Sequence, residues 1–152
     1  LDLYSQHYLV ISYYFFLLKM INQKIIQIAS NTKNSGLKNI YTHKSSIKNS
    51  LCGDKIKVEL ITSNSKIKSM RYKTESCILC EASASIISKK IINYSLKSVK
   101  KDIKIIKYNI KNNKTKFPSK FKEYKHLMTK NTVNRINCVI LPLDALLKAF
   151  KI

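Results

Sequence analysis

Residues 55–74 limit the fold more than any other stretch. Lys55 to Thr62 alternates, with Ile56, Val58 and Leu60 on one side and Lys55, Lys57 and Glu59 on the other, as a strand buried on one face requires. Asn64 and Ser65 supply turn residues, and Ile67 to Thr74 reads as the next strand with Met70 and Tyr72 inward. The spacing predicts an antiparallel hairpin, and its apolar face must be covered by the rest of the chain.

Helices provide the cover. Ile21, Ile25, Ile26 and Ile28 recur at approximate helical spacing between Met20 and Ala29, before Ser30, Asn31, Asn34 and Gly36 punctuate a loop. Ser76 is placed to cap a helix from Cys77 to about Ile92. The small residues Ala82, Ser83, Ala84 and Ser85 on that helix allow a neighbouring element to come close, and Ile86, Ile87, Ile91 and Ile92 serve the core. Helical potential returns around Val99 to Ile110 and breaks at Phe117-Pro118. A short apolar stretch, Val133 to Asn137, reads as a third strand fragment. The last helix is expected over Leu141 to Phe150, with Pro142 in its first turn and Leu143, Leu146, Leu147 and Phe150 as its stripe.

The candidate chemistry flanks these elements. Cys52-Gly53-Asp54 puts a thiol and a carboxylate on either side of a residue with free backbone geometry, so both can face one metal. Only two glycines occur in the chain, which marks this one as required by the backbone. Cys77 stands at a helix N-terminus, where exposed N–H groups favour the nucleophilic, metal-binding thiolate. Cys138 follows the last strand fragment. Three thiolates and one carboxylate make a tetrahedral set for zinc, and thiolate-rich sites also hold iron–sulfur clusters; ligand type alone does not separate the two. Arg135, three residues before Cys138, is the candidate supporting cation for such a negatively charged site. Against this stands the ordinary role of an isolated cysteine as a small buried hydrophobe. Cys77-x-x-Cys80 is half of a zinc knuckle or a redox pair, or Cys80 simply faces the core or the site margin. His7, His43 and His126 have no ligand-like spacing.

Length and charge bound the function. At 152 residues the chain can bury a core without disulfides, and four cysteines are too sparse for a disulfide scaffold, so reduced thiols and a cytoplasmic location are expected. A formal net charge of +21 by itself suggests a basic nucleic-acid-binding module with structural cysteines, the alternative function. The excess is lysine scattered among isoleucine and asparagine, with arginine only at positions 71 and 135; A/T-rich coding accounts for this, and no specific nucleic acid is expected. The Lys-rich stretch 97–125 then reads as a solvated face. Tyr8 to Leu18 is apolar but shorter than the roughly 20 residues of a membrane span, so no membrane partner is expected. Residues 1–19 are read as an upstream extension or an apolar, disordered N-terminal segment, and 20–152 as one functional domain.

Three blocks in register carry a family resemblance: Asn49-Ser50-Leu51-Cys52-Gly53-Asp54; Met70-Arg71-Tyr72-Lys73-Thr74-Glu75-Ser76-Cys77 with Glu81-Ala82-Ser83-Ala84-Ser85; and Arg135-Ile136-Asn137-Cys138. They resemble the signature blocks of the NifU/IscU/SufU iron–sulfur cluster assembly family, and Lys33-Asn34-Ser35-Gly36 resembles an earlier family segment with Thr32 in place of proline. The 61 positions from Cys77 to Cys138, the absence of the chaperone motif near Thr132-Val133-Asn134-Arg135, and Asn137 where IscU-like proteins carry histidine favour the SufU-like branch. Ser76 in place of glycine, Cys80 in place of a small residue, and the Lys-rich insert depart from the pattern.

The resemblance implies an α+β fold, with a small three-stranded antiparallel sheet packed against helices as in SufE/NifU-like proteins. It implies that Cys52, Asp54, Cys77 and Cys138 bind zinc or a transient iron–sulfur cluster. The implied function is to accept persulfide sulfur from a cysteine desulfurase of the SufS/IscS type, to scaffold a nascent cluster, or both, with downstream cluster-assembly proteins as further partners. Whether such a chain counts as an enzyme is open. Cys52 is the first choice of sulfur acceptor and Cys138 the second, and the chain is expected to be a monomer or weak dimer.

Overall fold

The computed structural model describes residues 6–12, 15 and 22–151. The expected domain start near Met20 lies outside the described residues, as does Ile21; residues 6–12 are helical and exposed. Among the described residues, no helix is long and apolar enough to cross a membrane.

In chain order, helix α1 (Gln23–Ala29) precedes strands β1 (His43–Lys48), β2 (Lys55–Ser63) and β3 (Lys66–Glu75). Helices α2 (Ile78–Lys90) and α3 (Leu96–Lys111), the 3-10 segments Ser119–Leu127 and Val133–Arg135, and α4 (Ile136–Ala149) follow. The strands form one antiparallel sheet in the order β1-β2-β3, so the α+β class expected from the sequence is the one observed.

The hairpin forms as its alternation predicts. Ile56, Val58, Leu60, Met70 and Tyr72 are all buried on the face that meets the helices. A register shift between Ile61 and Thr62 pairs Thr62 with Ile67. This bulge turns Ile67 into the core although it is an odd number of residues from Met70. Asn64 and Ser65 take positive φ at the turn, as expected of short polar residues there.

The third strand is not where the sequence placed it. Val133 to Asn137 is a 3-10 turn running into α4, and the sheet is completed instead by His43–Lys48. That edge strand carries one aliphatic residue, Ile47, and its inner positions His43, Ser45 and Ile47 are only half-buried, so it shows little hydrophobic alternation. It is fixed from the helix side: the Ser45 hydroxyl donates to the Ala145 carbonyl at 2.6 Å and Lys148 Nζ to the Ser46 carbonyl at 2.9 Å.

Two helix starts also differ. Ser76 does not cap α2; its hydroxyl donates to the Cys77 carbonyl at 3.3 Å, and Cys77 itself is the N-cap, in extended geometry and without a side-chain capping bond. The final helix begins at Ile136 rather than Leu141, and Pro142 lies inside it. The apolar run Val139 to Leu143 is buried by tertiary packing, which outweighs the proline's local preference for a first turn.

Helix α2 is central. Leu79, Cys80 and every residue from Ala82 to Ser88 are buried, because small side chains let α4, the 3-10 segment and the 30–36 loop approach on different sides. Each buried serine hydroxyl of α2 has a partner: Ser83 donates to the Val139 carbonyl at 2.6 Å, Ser85 to the Asn31 carbonyl at 3.1 Å, and Ser88 to the Ser85 carbonyl at 3.1 Å. Helix α3 is amphipathic as read, burying Val99, Ile103, Ile106 and Ile110.

Candidate functional site

The loop between β1 and β2 is tied into a tight turn. The Asn49 amide donates to the Asp54 carbonyl at 2.7 Å, and the Gly53 amide to the Asn49 carbonyl at 2.8 Å. The Asn49 side chain accepts from the Leu51 amide at 2.9 Å. Closing this turn takes Gly53 to φ +75, a left-handed conformation that strains any residue with a Cβ. In consequence Cys52 stands exposed on the loop while Asp54 points back into the protein, 7% exposed.

The other two thiols come from helix starts. Cys77 is the half-buried N-cap of α2, reached directly from β3, and Cys138 is buried in the first turn of α4. The Cys138 and Cys52 sulfurs lie 3.8 Å apart. Together with Asp54 they offer three ligand atoms all within 4.8 Å of one another. Cys77 lines the same cavity of about 430 Å³, along with Asn49, Leu51, Asn134, Arg135 and Asn137. All four sequence-predicted ligands and the predicted cation therefore border one cavity, although Cys77 is not part of the tight three-atom group.

Two groups in the cavity wall carry unmet electrostatic demands. Burial, followed by the neighbouring Cys77, Asp54 and Cys52 side chains, raises the Cys138 thiol well above its usual range. Asp54 Oδ2 is buried with no hydrogen-bond partner, a costly condition for a carboxylate oxygen. A cation would relieve both. The donor set, soft sulfurs plus one hard oxygen, fits zinc or iron.

Cys80 lies behind this arrangement. It is fully buried, outside the cavity lining, and burial pushes its thiol up to about 12. The histidines are elsewhere: His43 packs edge-on against Phe150 at 6.2 Å, and His126 is held below its usual value, chiefly by burial.

Sequence reading missed two kinds of residue. Asn49, Asn134 and Asn137 border the cavity; all three stand in or beside the signature blocks, but asparagine is so common in this composition that none was read as a cavity residue. Arg71 is the other. Its guanidinium donates to the carbonyls of Lys33 at 3.1 Å, Gly36 at 2.8 Å and Ser35, holding the 33–36 block against β3, and Gly36 at φ +85 brings that backbone close. Two arginines in a lysine-rich chain were the available signal, since a planar fork serves several carbonyls at once.

Comparison with known proteins agrees with this architecture. Among the solved structures that match, two have TM-scores of 0.75 and 0.73. The first is a nitrogen-fixing NifU-like protein (N-terminal) from Brucella abortus, 19% identical, covering 86% of this chain and 91% of that one. The second is a putative iron–sulfur cluster assembly scaffold protein for the SUF system from thermophilic Fervidobacterium islandicum AW-1, 20% identical, covering 88% of this chain and 98% of that one. No curated protein matches the sequence. The family described as NifU-like N terminal domain matches residues 20–149, a span containing every strand among the described residues and every candidate site residue, and the chain belongs to that family.

Proposed function

We propose that this protein works in iron–sulfur cluster assembly, receiving sulfur from a cysteine desulfurase and holding metal or a nascent cluster at Cys52, Asp54, Cys77 and Cys138. The observation that carries the reading is the convergence of the Cys52–Asp54 loop with Cys138, distant in the chain, so that their ligand atoms lie within 4.8 Å of one another in the cavity that Cys77 also lines. Family membership supplies the functional context.

Roles follow from exposure and chemistry. Cys52, on an exposed loop, is the thiol an incoming persulfide can reach, and its sulfur attacks the outer sulfur of the donor. Cys138, 3.8 Å away, is the alternative acceptor. Cys52, Asp54, Cys77 and Cys138 would hold zinc if it binds here, and the metal would keep those thiols as thiolates at neutral pH. Asp54 contributes a hard, weak oxygen ligand among soft sulfurs, which favours release over storage. Arg135 borders the cavity and offsets its negative charge. The spacing and motif features that favour the SufU-like branch, and the SUF-system relative, fit a sulfur-relay role in the cytoplasm, with downstream cluster-assembly proteins taking the product.

Protein purified without oxygen is expected to contain zinc or iron with acid-labile sulfide, and to stimulate a cysteine desulfurase. The Cys52→Ser variant should keep its fold but lose sulfur acceptance. Wild-type protein with neither bound metal nor any effect on desulfurase turnover would overturn the reading.

A further inference from the structure

We propose that Cys77 and Cys80 form a redox-active dithiol that reduces a sulfane sulfur held in this cavity and releases it as sulfide. The inference rests on the sulfur-accepting reading above. Cys77 is the N-cap of α2, extended at φ −74 and ψ 165, and half-buried. Cys80 is the third residue of the same helix and 0% exposed. Residues three apart on a helix are neighbours on one face, and a Cys-x-x-Cys at a helix N-terminus is the arrangement in which an accessible thiol is backed by a sheltered one.

The surroundings separate the roles. Cys77 borders the cavity with Cys52 and Cys138, whereas Cys80 does not, so Cys80 reaches the chemistry only through Cys77. A thiol in that place is badly positioned as a metal ligand and well positioned to resolve a persulfide on its neighbour. Asp54 stands 7% exposed in the wall of the cavity that Cys77 also lines, with Oδ2 unpartnered, so this space is lined for a chemical guest rather than for packing.

The steps balance. The Cys77 sulfur attacks the outer sulfur of a Cys52 persulfide; that S–S bond breaks, Cys52 regains its thiol, and Cys77 carries the persulfide. The Cys80 sulfur then attacks Cys77 Sγ, forming the Cys77–Cys80 bond. The bond to the outer sulfur breaks with its electron pair, and the departing sulfur takes the Cys80 proton to leave as hydrogen sulfide. Two thiols are oxidised to one disulfide, and one sulfane sulfur is reduced by two electrons. A low-molecular-weight thiol or a dithiol protein restores the pair by exchange.

The test uses the full chain, freed of metal under anaerobic conditions, and loads sulfur in two arms: inorganic polysulfide alone, or a cysteine desulfurase with cysteine. Sulfide released before any reductant is added is measured, and disulfides are mapped by alkylation and mass spectrometry. Wild type should release about one sulfide per chain with a Cys77–Cys80 disulfide, and Cys80→Ser should take up sulfur but release it about tenfold more slowly or less. Cys80→Ala serves if a hydroxyl in the core unfolds the chain, and if both variants unfold the wild-type disulfide map decides. Equal release from folded Cys80 variants, or a disulfide joining Cys52 and Cys138 with Cys80 left free, would overturn the proposal. Uptake from polysulfide but not from the desulfurase would instead defeat the sulfur-accepting reading and leave the dithiol standing.

Discussion

Two buried carboxylates, Glu59 within strand β2 and Asp54 just before it, are used in opposite ways. Glu59, 5% exposed on the outer side of the sheet, accepts the Lys38 amide at 2.9 Å and the Asn39 amide at 3.1 and 3.2 Å, and so clamps the loop before β1. Asp54, just before the same strand, is as deeply buried but leaves Oδ2 unpaired beside three thiols. A larger cavity of about 510 Å³ borders Glu59, yet that carboxylate is already satisfied. Unmet bonding capacity beside three thiols, and not cavity size, distinguishes the Asp54 cavity from the Glu59 cavity.

The contrast is broken most severely at the sulfurs. Cys138→Ser should lower metal affinity by about 100-fold or more, beyond the range seen for loss of an outer partner, with metal competition against a chromogenic chelator as the measurement. An equally drastic loss from Glu59→Ala would erase the distinction.

Stability gives the next test. Glu59→Ala strands two backbone donors and should cost about 2–3 kcal/mol, read from urea unfolding of metal-free protein, while metal content per folded chain stays unchanged. Asp54→Ala should do the reverse, raising the stability of the metal-free chain by about 1–2 kcal/mol through loss of an unpartnered buried oxygen. Metal or cluster exchange in that variant should slow by about tenfold; unchanged exchange would remove Asp54 from its role.

The smallest effect is a control from the far side of the fold. Lys90 Nζ lies 2.7 Å from Glu123 Oε1, and this hydrogen bond holds the Glu123 carboxyl below its ordinary value of 4.5. A lowered carboxyl stabilises the fold above that ordinary value and loses the contribution as pH falls below it and through the folded one. The partly exposed pair is screened and should account for about 0.5 kcal/mol. Urea midpoints of Lys90→Ala and wild type should therefore converge on acidification, with metal binding near neutral pH untouched.

Much of this contrast was readable in the sequence. The hairpin announced itself because Ile56, Val58 and Leu60 face a core and their neighbours are polar, and the four site residues were marked by their chemistry and by blocks in register. What escaped depended on partners distant in the chain. Strand β1 pairs through its backbone with β2 and carries almost no apolar signal. Val133 and Ile136 imitate a strand, yet burial of the following residues draws them into a helix start. Ser76 has the right chemistry for a cap, but the chain turns one residue later. Glu59 alternates as a solvent-facing residue should, and only the loop folded over it makes it a clamp.

Proline at position 142 has a last consequence. It has no amide hydrogen to offer the carbonyl four residues earlier, and that carbonyl belongs to Cys138. The rung of the helical ladder directly under the sulfur is thus missing, while Val139 and Ala145 are fastened to α2 and β1 by serine hydroxyls. The thiol therefore sits on a helical turn that lacks one backbone hydrogen bond, just ahead of the two points where serine hydroxyls fasten the helix to its neighbours.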